Sequence, residues 1–444
     1  TKDGSVPLNG PRLLQIIAEA GLGVADVDTQ LVLDETATTL YHGMPQAELT
    51  LAPVLAARTL VEKHPNYSLV AARLLLDGLR TETLTLIAGE PTTASAAEMA
   101  GLYPGYLTDY INFGITIGRL DPKLASFDLE KMGAAIQAER DLEFTYLGLQ
   151  TLADRYFLHE GGKRYELPQA FFMRVAMGLA LNEDAREDRA IEFYRLLSSF
   201  DFMCSTPTLF NAGTIRPQLS SCFLTTVEDD QSDIFGSLHS NAMLAKYSGG
   251  LGNDWTPVRG TGAHINGTNG KSSGIVPFLK IANDTAVAVN QGGKRKGAVC
   301  AYLETWHIDV EEFCELRKNT GDDRRRTHDM HTAHWVPDLF LQRVEEDGEW
   351  TLFSPDEVHG LHDAYGEEFK ELYEGYEAKA AAGEIRVFRT VRAVELWRRM
   401  LSMLFETGHP WITFKDPCNI RSAQQHAGVV HSSNLCTEIT LNTS

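Results

Sequence analysis

Ala298-Val299-Cys300-Ala301-Tyr302-Leu303 is an apolar run of strand length, preceded by the polar stretch Gln291-Gly292-Gly293-Lys294-Arg295-Lys296-Gly297 and followed by a helical pattern over 308–318. Two further short apolar runs, Cys222-Phe223-Leu224 and Gly274-Ile275-Val276-Pro277, flank another helical stretch at 233–247. Strand-length patterns alternating with helix-length ones predict α/β architecture with mostly parallel strands. Glycines gather in the same part, in Ser248-Gly249-Gly250-Leu251-Gly252, Gly260-Thr261-Gly262 and Gly267-Thr268-Asn269-Gly270. Loops that approach a ligand closely need such residues, and so do ordinary tight turns.

Upstream of about Ser205 the rhythm is helical. Leu13, Leu14, Ile16 and Ile17, then Leu51, Val54 and Leu55, recur at three- and four-residue spacings, broken at Gly43-Met44-Pro45 and His64-Pro65-Asn66. Lys2-Asp3-Gly4 suggests a turn between two short strands at the start. Helical patterns continue through 174–179 and 190–197. The expected organisation is a small helical module over 1–90, a helical layer over 91–215 and the α/β part over 216–444. A chain of 444 residues has room for two or three domains.

Composition narrows the function. Lys plus Arg number 40 against 60 Asp plus Glu, a formal charge of −20, which disfavours a nucleic-acid partner and requires a local basic pocket for any bound anion. No apolar run approaches the roughly 20 residues of a membrane span, and no secretory leader is legible, so a cytoplasmic protein with no membrane partner is expected. A first residue other than Met suggests part of a longer protein. The six cysteines, at 204, 222, 300, 314, 418 and 436, form no C-x-x-C pair and no zinc spacing, so neither a disulfide scaffold nor a metal site is expected.

The segment richest in chemistry is Ser432-Ser433-Asn434-Leu435-Cys436-Thr437-Glu438-Ile439. In an extended backbone Asn434, Cys436 and Glu438 share one face. A thiol can react in one-electron steps, a carboxylate can take a proton from a hydroxyl, and an amide can orient that hydroxyl; an ordinary half-buried strand would carry polar residues there as well. Cys222 opens an apolar run and by default is a small buried hydrophobe, as are Cys204, Cys300, Cys314 and Cys418. The 291–298 stretch sets Lys294, Arg295 and Lys296 between glycines, suited to a phosphate or a base. Arg324-Arg325-Arg326, flanked by Asp322, Asp323 and Asp329, reads as a solvated face. Walker A, dinucleotide-fingerprint and H-E-x-x-H patterns are absent.

Several of these motifs together resemble the large catalytic subunit of class I ribonucleotide reductase. They are Ser433 to Ile439, Thr206-Pro207-Thr208-Leu209-Phe210-Asn211-Ala212-Gly213, Pro217-Gln218-Leu219-Ser220-Ser221-Cys222, Lys246 to Gly252, Gly267 to Gly270, the 291–298 loop, Trp306-His307 and Glu406-Thr407-Gly408. Lys63-His64-Pro65-Asn66-Tyr67, with Lys2-Asp3-Gly4, is similar to that family's ATP-cone regulatory domain. The resemblance implies a helical N-terminal region followed by the first half of a ten-stranded α/β barrel, with a cysteine on a loop inside it. It implies that Cys436 becomes a thiyl radical and removes the 3′ hydrogen of a ribonucleoside diphosphate. Glu438 would deprotonate the 3′ hydroxyl, Asn434 would bind the ribose hydroxyls, and Cys222 would be one of two reducing thiols. Thr206, Ser221 and Arg295 would line the substrate. Asp230, Lys246, Arg259, Asn266 and Gly267 would hold an allosteric dNTP, with the 291–298 loop relaying its base to the substrate.

The same resemblance implies partners and departures. No covalent cofactor is expected. ATP and dNTPs would act as effectors, a metal-containing small subunit would supply the radical, a thioredoxin- or glutaredoxin-type protein would be the reductant, and the subunit would form a homodimer. The family continues several hundred residues past Ser444, so the rest of the barrel belongs to a longer chain or a second one, and the fragment alone is not expected to turn over. Gln46 and Thr50 depart from other cones. An adenosylcobalamin-dependent reductase and a non-catalytic nucleotide-binding fragment are the alternatives.

Overall fold

A computed structural model describes residues 7–246, 249–291 and 295–443. They fall into two compact units, Thr1–Leu219 and Ser220–Ser444.

The first unit is helical. Gly10–Gly21 starts with Asn9, whose side chain accepts from Arg12 N, and with a proline in its first turn; Thr29–Thr39 starts with Asp28 accepting from Gln30 N. Both are ordinary ways to satisfy the orphan donors of a first turn. Gln46–Thr59 and the long Tyr67–Ala88 follow, separated where the prolines at 45 and 65 predict, and Gly89 ends the latter at φ 75°. The Lys2-Asp3-Gly4 turn lies outside the described residues. One apolar cluster joins these helices to Met99–Thr116 and Pro168–Ala180. It also encloses polar groups. Arg174, fully buried, pairs with Glu166 at 2.7 Å and donates to the carbonyls of Leu209 and Ala212, tying Thr206–Asn211 to the helix beneath it. Asp141, also buried, accepts from Tyr103 Oη at 2.6 Å and Gln169 Nε2 at 2.9 Å.

The second unit carries five strands: β1 Cys222–Thr226, β2 Gly250–Asp254, β3 Val299–Glu304, β4 His331–Val336 and β5 Trp411–Phe414. They form one parallel sheet in sequential order, β5-β4-β3-β2-β1. Helix α1, Gln231–Lys246, links β1 to β2; α2, Val276–Ala288, lies between β2 and β3; α3, Gly366–Ala381, and α4, Ala393–Thr407, lie between β4 and β5. The parallel α/β expectation holds in this region, with two local corrections. Gly274 to Pro277 opens α2 instead of forming a strand, because its proline sits in the first helical turn, where a missing N–H costs nothing. The 308–318 helix shrinks to Val310–Cys314.

Strand alternation divides the sheet into two faces. On β3, Val299, Ala301 and Leu303 join the core that includes residues of α2, α3 and α4, while Cys300 and Tyr302 join Ala333, Trp335 and Val430 on the other side. This second face receives the segment 430–443.

Candidate active site on the inner sheet face

The Cys436 segment is a loop, which corrects the extended reading of 432–439. It turns at 435–437, and Thr437 takes φ 71°, a left-handed conformation foreign to a strand. The cause is Asn434. Its Oδ1 accepts from Glu438 N and Ile439 N, each at 3.1 Å, while its own N–H donates to Ile439 O at 3.3 Å. An Asn side chain that captures backbone donors a few residues on replaces strand pairing with a turn. Ser433 Oγ closes the loop by donating to Ile439 O at 2.6 Å. Asn434 is thereby buried, and Cys436 and Glu438 stand exposed at the tip.

The loop fits against the sheet because β2 has no side chains there. A Cβ on Gly252 would stand 1.8 Å from Ser433 O, and one on Gly250 would stand 3.2 Å from Leu435 Cβ. Gly250 and Gly252 share one face of β2, so the close approach these glycines permit is to the chain's own loop. Tyr302 Oη holds the loop from β3, donating to Asn434 O at 2.7 Å.

Asn434 Nδ2 donates to Cys222 Sγ at 2.9 Å, which brings three expected residues, Cys222, Asn434 and Cys436, to the amino end of β1 and the loop tip. Ser221 precedes Cys222, and its carbonyl accepts from Gly250 N at 2.7 Å. Cys300, opposite Gly252 in the sheet, has nothing in its sequence surroundings to mark it, yet it lies beside this group. Burial pushes its thiol pKa up strongly, and the neighbouring Cys436 adds to the rise. Tyr302 is pushed up too, chiefly by burial, so it stays a donor. None of the six cysteines is in a disulfide. Thr206 belongs to the first unit, at the start of Thr206–Asn211, with its Oγ1 3.0 Å from Tyr156 Oη.

The expected effector residues do not all converge within one chain. Asp230 Oδ1 accepts from Ser232 N and Asp233 N and so caps α1, whereas Lys246 is the last residue of that helix. Sixteen residues at 1.5 Å of rise separate them by roughly 24 Å. Arg259 is held by Asp229, with Nε to Oδ2 at 2.8 Å, and donates to His264 O. Asn266 and Gly267 lie exposed in the turn between Thr261–Ile265 and Gly270–Ser273. Residues 290–291 and 295–296 pair as a two-stranded ribbon; Lys294 and the Arg295 side chain lie outside the described residues.

A cavity of about 780 Å³ opens at the carboxyl ends of the strands, lined by Thr226, Arg259, Asn266, His362, His431 and Thr443 among others. Neither Cys222 nor Cys436 lines it. Beneath it sits a charged network that sequence reading missed. Glu304 accepts from Lys415 Nζ at 2.8 Å and from Trp306 Nε1 at 2.6 Å, and all three side chains are fully buried. A charge at the end of each apolar run, Asp254 after β2's glycines and Glu304 after Leu303, was the available signal.

Comparison with known proteins fits this geometry. The family model described as "Ribonucleotide reductase, barrel domain" matches residues 220–444, and "Ribonucleotide reductase, all-alpha domain" matches 142–217. The chain is 55% identical over 447 residues to the ribonucleoside-diphosphate reductase subunit alpha of Chlamydia muridarum, covering 100% of this chain and 42% of that protein. It is 45% identical to the subunit alpha of Helicobacter pylori (86% and 46% covered) and 40% identical to the large subunit of Danio rerio (96% and 52% covered). The chain therefore spans about half the length of these relatives. Among the described residues no helix is long and apolar enough to cross a membrane. A parallel sheet that seats a cysteine loop on its glycine strand, matched across that whole unit, makes this chain a member of the ribonucleotide reductase large-subunit family.

Proposed function

We propose that this chain is the amino-terminal part of a class I ribonucleoside-diphosphate reductase catalytic subunit, with Cys436 as the hydrogen-abstracting thiyl. The observation that carries the reading is the hydrogen bond from Asn434 to Cys222, which couples the loop presenting Cys436 to a second thiol. Cys436, once oxidised by one electron through a radical-generating small subunit, takes the 3′ hydrogen atom, forming S–H and leaving a carbon radical. Glu438 receives the 3′ hydroxyl proton. The 2′ hydroxyl then leaves as water, with its proton drawn from Cys222. Cys222 and a second thiol supply two electrons and end as a disulfide, and Cys436 returns its hydrogen to the 3′ carbon. A thioredoxin- or glutaredoxin-type dithiol resets the pair, which suits a reducing compartment such as the cytoplasm. Asn434 Nδ2, now on Cys222, is the donor free to turn to a ribose hydroxyl, since Oδ1 is committed to the loop.

Ser221 and Arg295 line the substrate in this reading, and a dNTP is held by Asp230, Arg259, Asn266 and Gly267. The separation of roughly 24 Å between Asp230 and Lys246 along α1 favours a homodimer in which Lys246 comes from a second copy of the chain. Residues 1–90 serve as an ATP-responsive cone, and the rest of a ten-stranded barrel lies beyond residue 444.

The test uses the complete protein with its small subunit. Cys222→Ser should permit attack at the 3′ position yet block 2′ reduction, so labelled diphosphate should release free base in place of deoxynucleotide. Normal multiple turnover with a dithiol reductant would contradict the assignment. Reduction by the parent protein that needs adenosylcobalamin and ignores the small subunit would contradict the class.

A further inference from the structure

Where the Cys436 loop begins, His431 stacks on His362, a residue of the long connection between β4 and β5. The ring centroids are 4.1 Å apart and the planes 20° from parallel. Both nitrogens of each ring face acceptors. His362 Nδ1 lies 2.9 Å from Glu304 Oε1 and Nε2 lies 2.8 Å from Asp254 Oδ2. The second approach is out of line for a hydrogen bond, which leaves Asp254 Oδ2 and His362 Nε2 buried without a hydrogen-bond partner. His431 Nδ1 lies 3.1 Å from Thr443 O, and its Nε2 lies 2.9 Å from Asp363 Oδ1.

A neutral imidazole has a single N–H, so a ring between two acceptors needs a second positive centre: a second proton or a cation. Two imidazolium rings stacked at this distance repel each other. Asp254 and Glu304 are buried, whereas Asp363 is 70% exposed and solvated, and Lys415, bonded to Glu304, brings one positive charge. A divalent cation would supply the remaining positive charge in place of the second imidazole proton and take the idle lone pairs. His362 already has the arrangement typical of a metal ligand, one ring nitrogen donating to a buried carboxylate and the other turned to a further ligand atom.

We propose that Asp254 Oδ2, His362 Nε2 and a ring nitrogen of His431 form a binding site for one divalent transition cation of the zinc class. Two histidines and one carboxylate are a donor set suited to such an ion. The three ligand atoms lie within 4.8 Å of one another. Bonds of about 2.0–2.2 Å allow at most about 4.4 Å between two ligands of one ion, and an imidazole lone pair lies in its ring plane, so binding requires one ring to turn out of the stack. The cavity that His362 and His431 line leaves a position for water. A bound ion would tether the start of the Cys436 loop to the end of β2. The inference holds whether or not Cys436 is the radical residue.

The complete protein, stripped with a chelator and dialysed against Zn²⁺ or Co²⁺, should retain about one more ion per chain than its Asp254→Asn and His431→Gln variants do, with Co²⁺ giving visible bands that both variants lose. Affinity should drop at least about tenfold in each variant. Variants that bind as tightly as the parent overturn the site. Should either variant fail to fold, ¹⁵N-histidine NMR of the parent decides. Zn²⁺ must move one nitrogen of His362 and one of His431 to the coordinated shift range, and rings that keep both protons with Zn²⁺ in excess overturn the proposal.

Discussion

Asn434 does three things at once: it caps the turn, offers its carbonyl to Tyr302 and donates to Cys222. Removing its side chain leaves the Glu438 and Ile439 N–H groups and the Cys222 sulfur without that partner, while the backbone carbonyl still accepts from Tyr302, a loss of about 1–3 kcal/mol. Asn434→Ala should therefore lower unfolding stability by that amount in urea, and remove nucleotide reduction with it; unchanged stability would show that the turn closes without the amide. A different residue reports on the first unit. Burial raises the Asp141 pKa to about 6, against the hydrogen bonds from Tyr103 and Gln169 and the charge of Arg80 that lower it. Between about pH 4 and 6 the folded chain holds a proton that the unfolded chain has released, so stability falls as pH rises through that window, by up to about 1.4 kcal/mol per unit. Asp141→Asn should flatten this slope in urea midpoints measured across the window, and a variant with the parent's slope would mean another group titrates there.

At the scale of elements, β2 decides where the loop can lie. Gly252→Ala places a methyl on the Ser433 carbonyl, and because β2 is held in register with β3 it is the loop that must lift off the strand. Overpacking of this kind costs about 1–3 kcal/mol. The expected outcome is a folded protein, by circular dichroism, with activity reduced at least about tenfold; full activity would mean the loop does not sit on the strand during catalysis. The elements were unevenly legible in the sequence. Helices of the first unit and the strands β1 and β3 could be read because apolar spacing and proline breaks act locally. Gly274 to Pro277 reads as a strand because a four-residue apolar run carries no period, and only its proline signals a helix start. The turn at 435–437 was hidden since alternation in 434–438 fits a strand equally well until Asn434 bonds its own backbone.

For the whole molecule, the parallel sheet sets two chemistries at opposite strand ends. Thiols gather at the amino ends, with Cys222 and Cys300 on β1 and β3, and buried charge gathers at the carboxyl ends, with Asp254, Glu304 and Lys415. The 430–443 segment runs between them. Cys436, Cys222 and Asn434 were legible from their motifs, but His362 and His431, 69 positions apart in sequence, meet only through the fold. The most direct measurement is deoxynucleotide formation by the complete protein and its small subunit, comparing the parent with Cys436→Ser. An O–H bond is stronger than an S–H bond, so serine is a poor radical site in nearly the same volume. No detectable product is expected from the variant, with dNTP binding unchanged, and a variant that keeps even about a tenth of the parent's rate would remove Cys436 from the radical role.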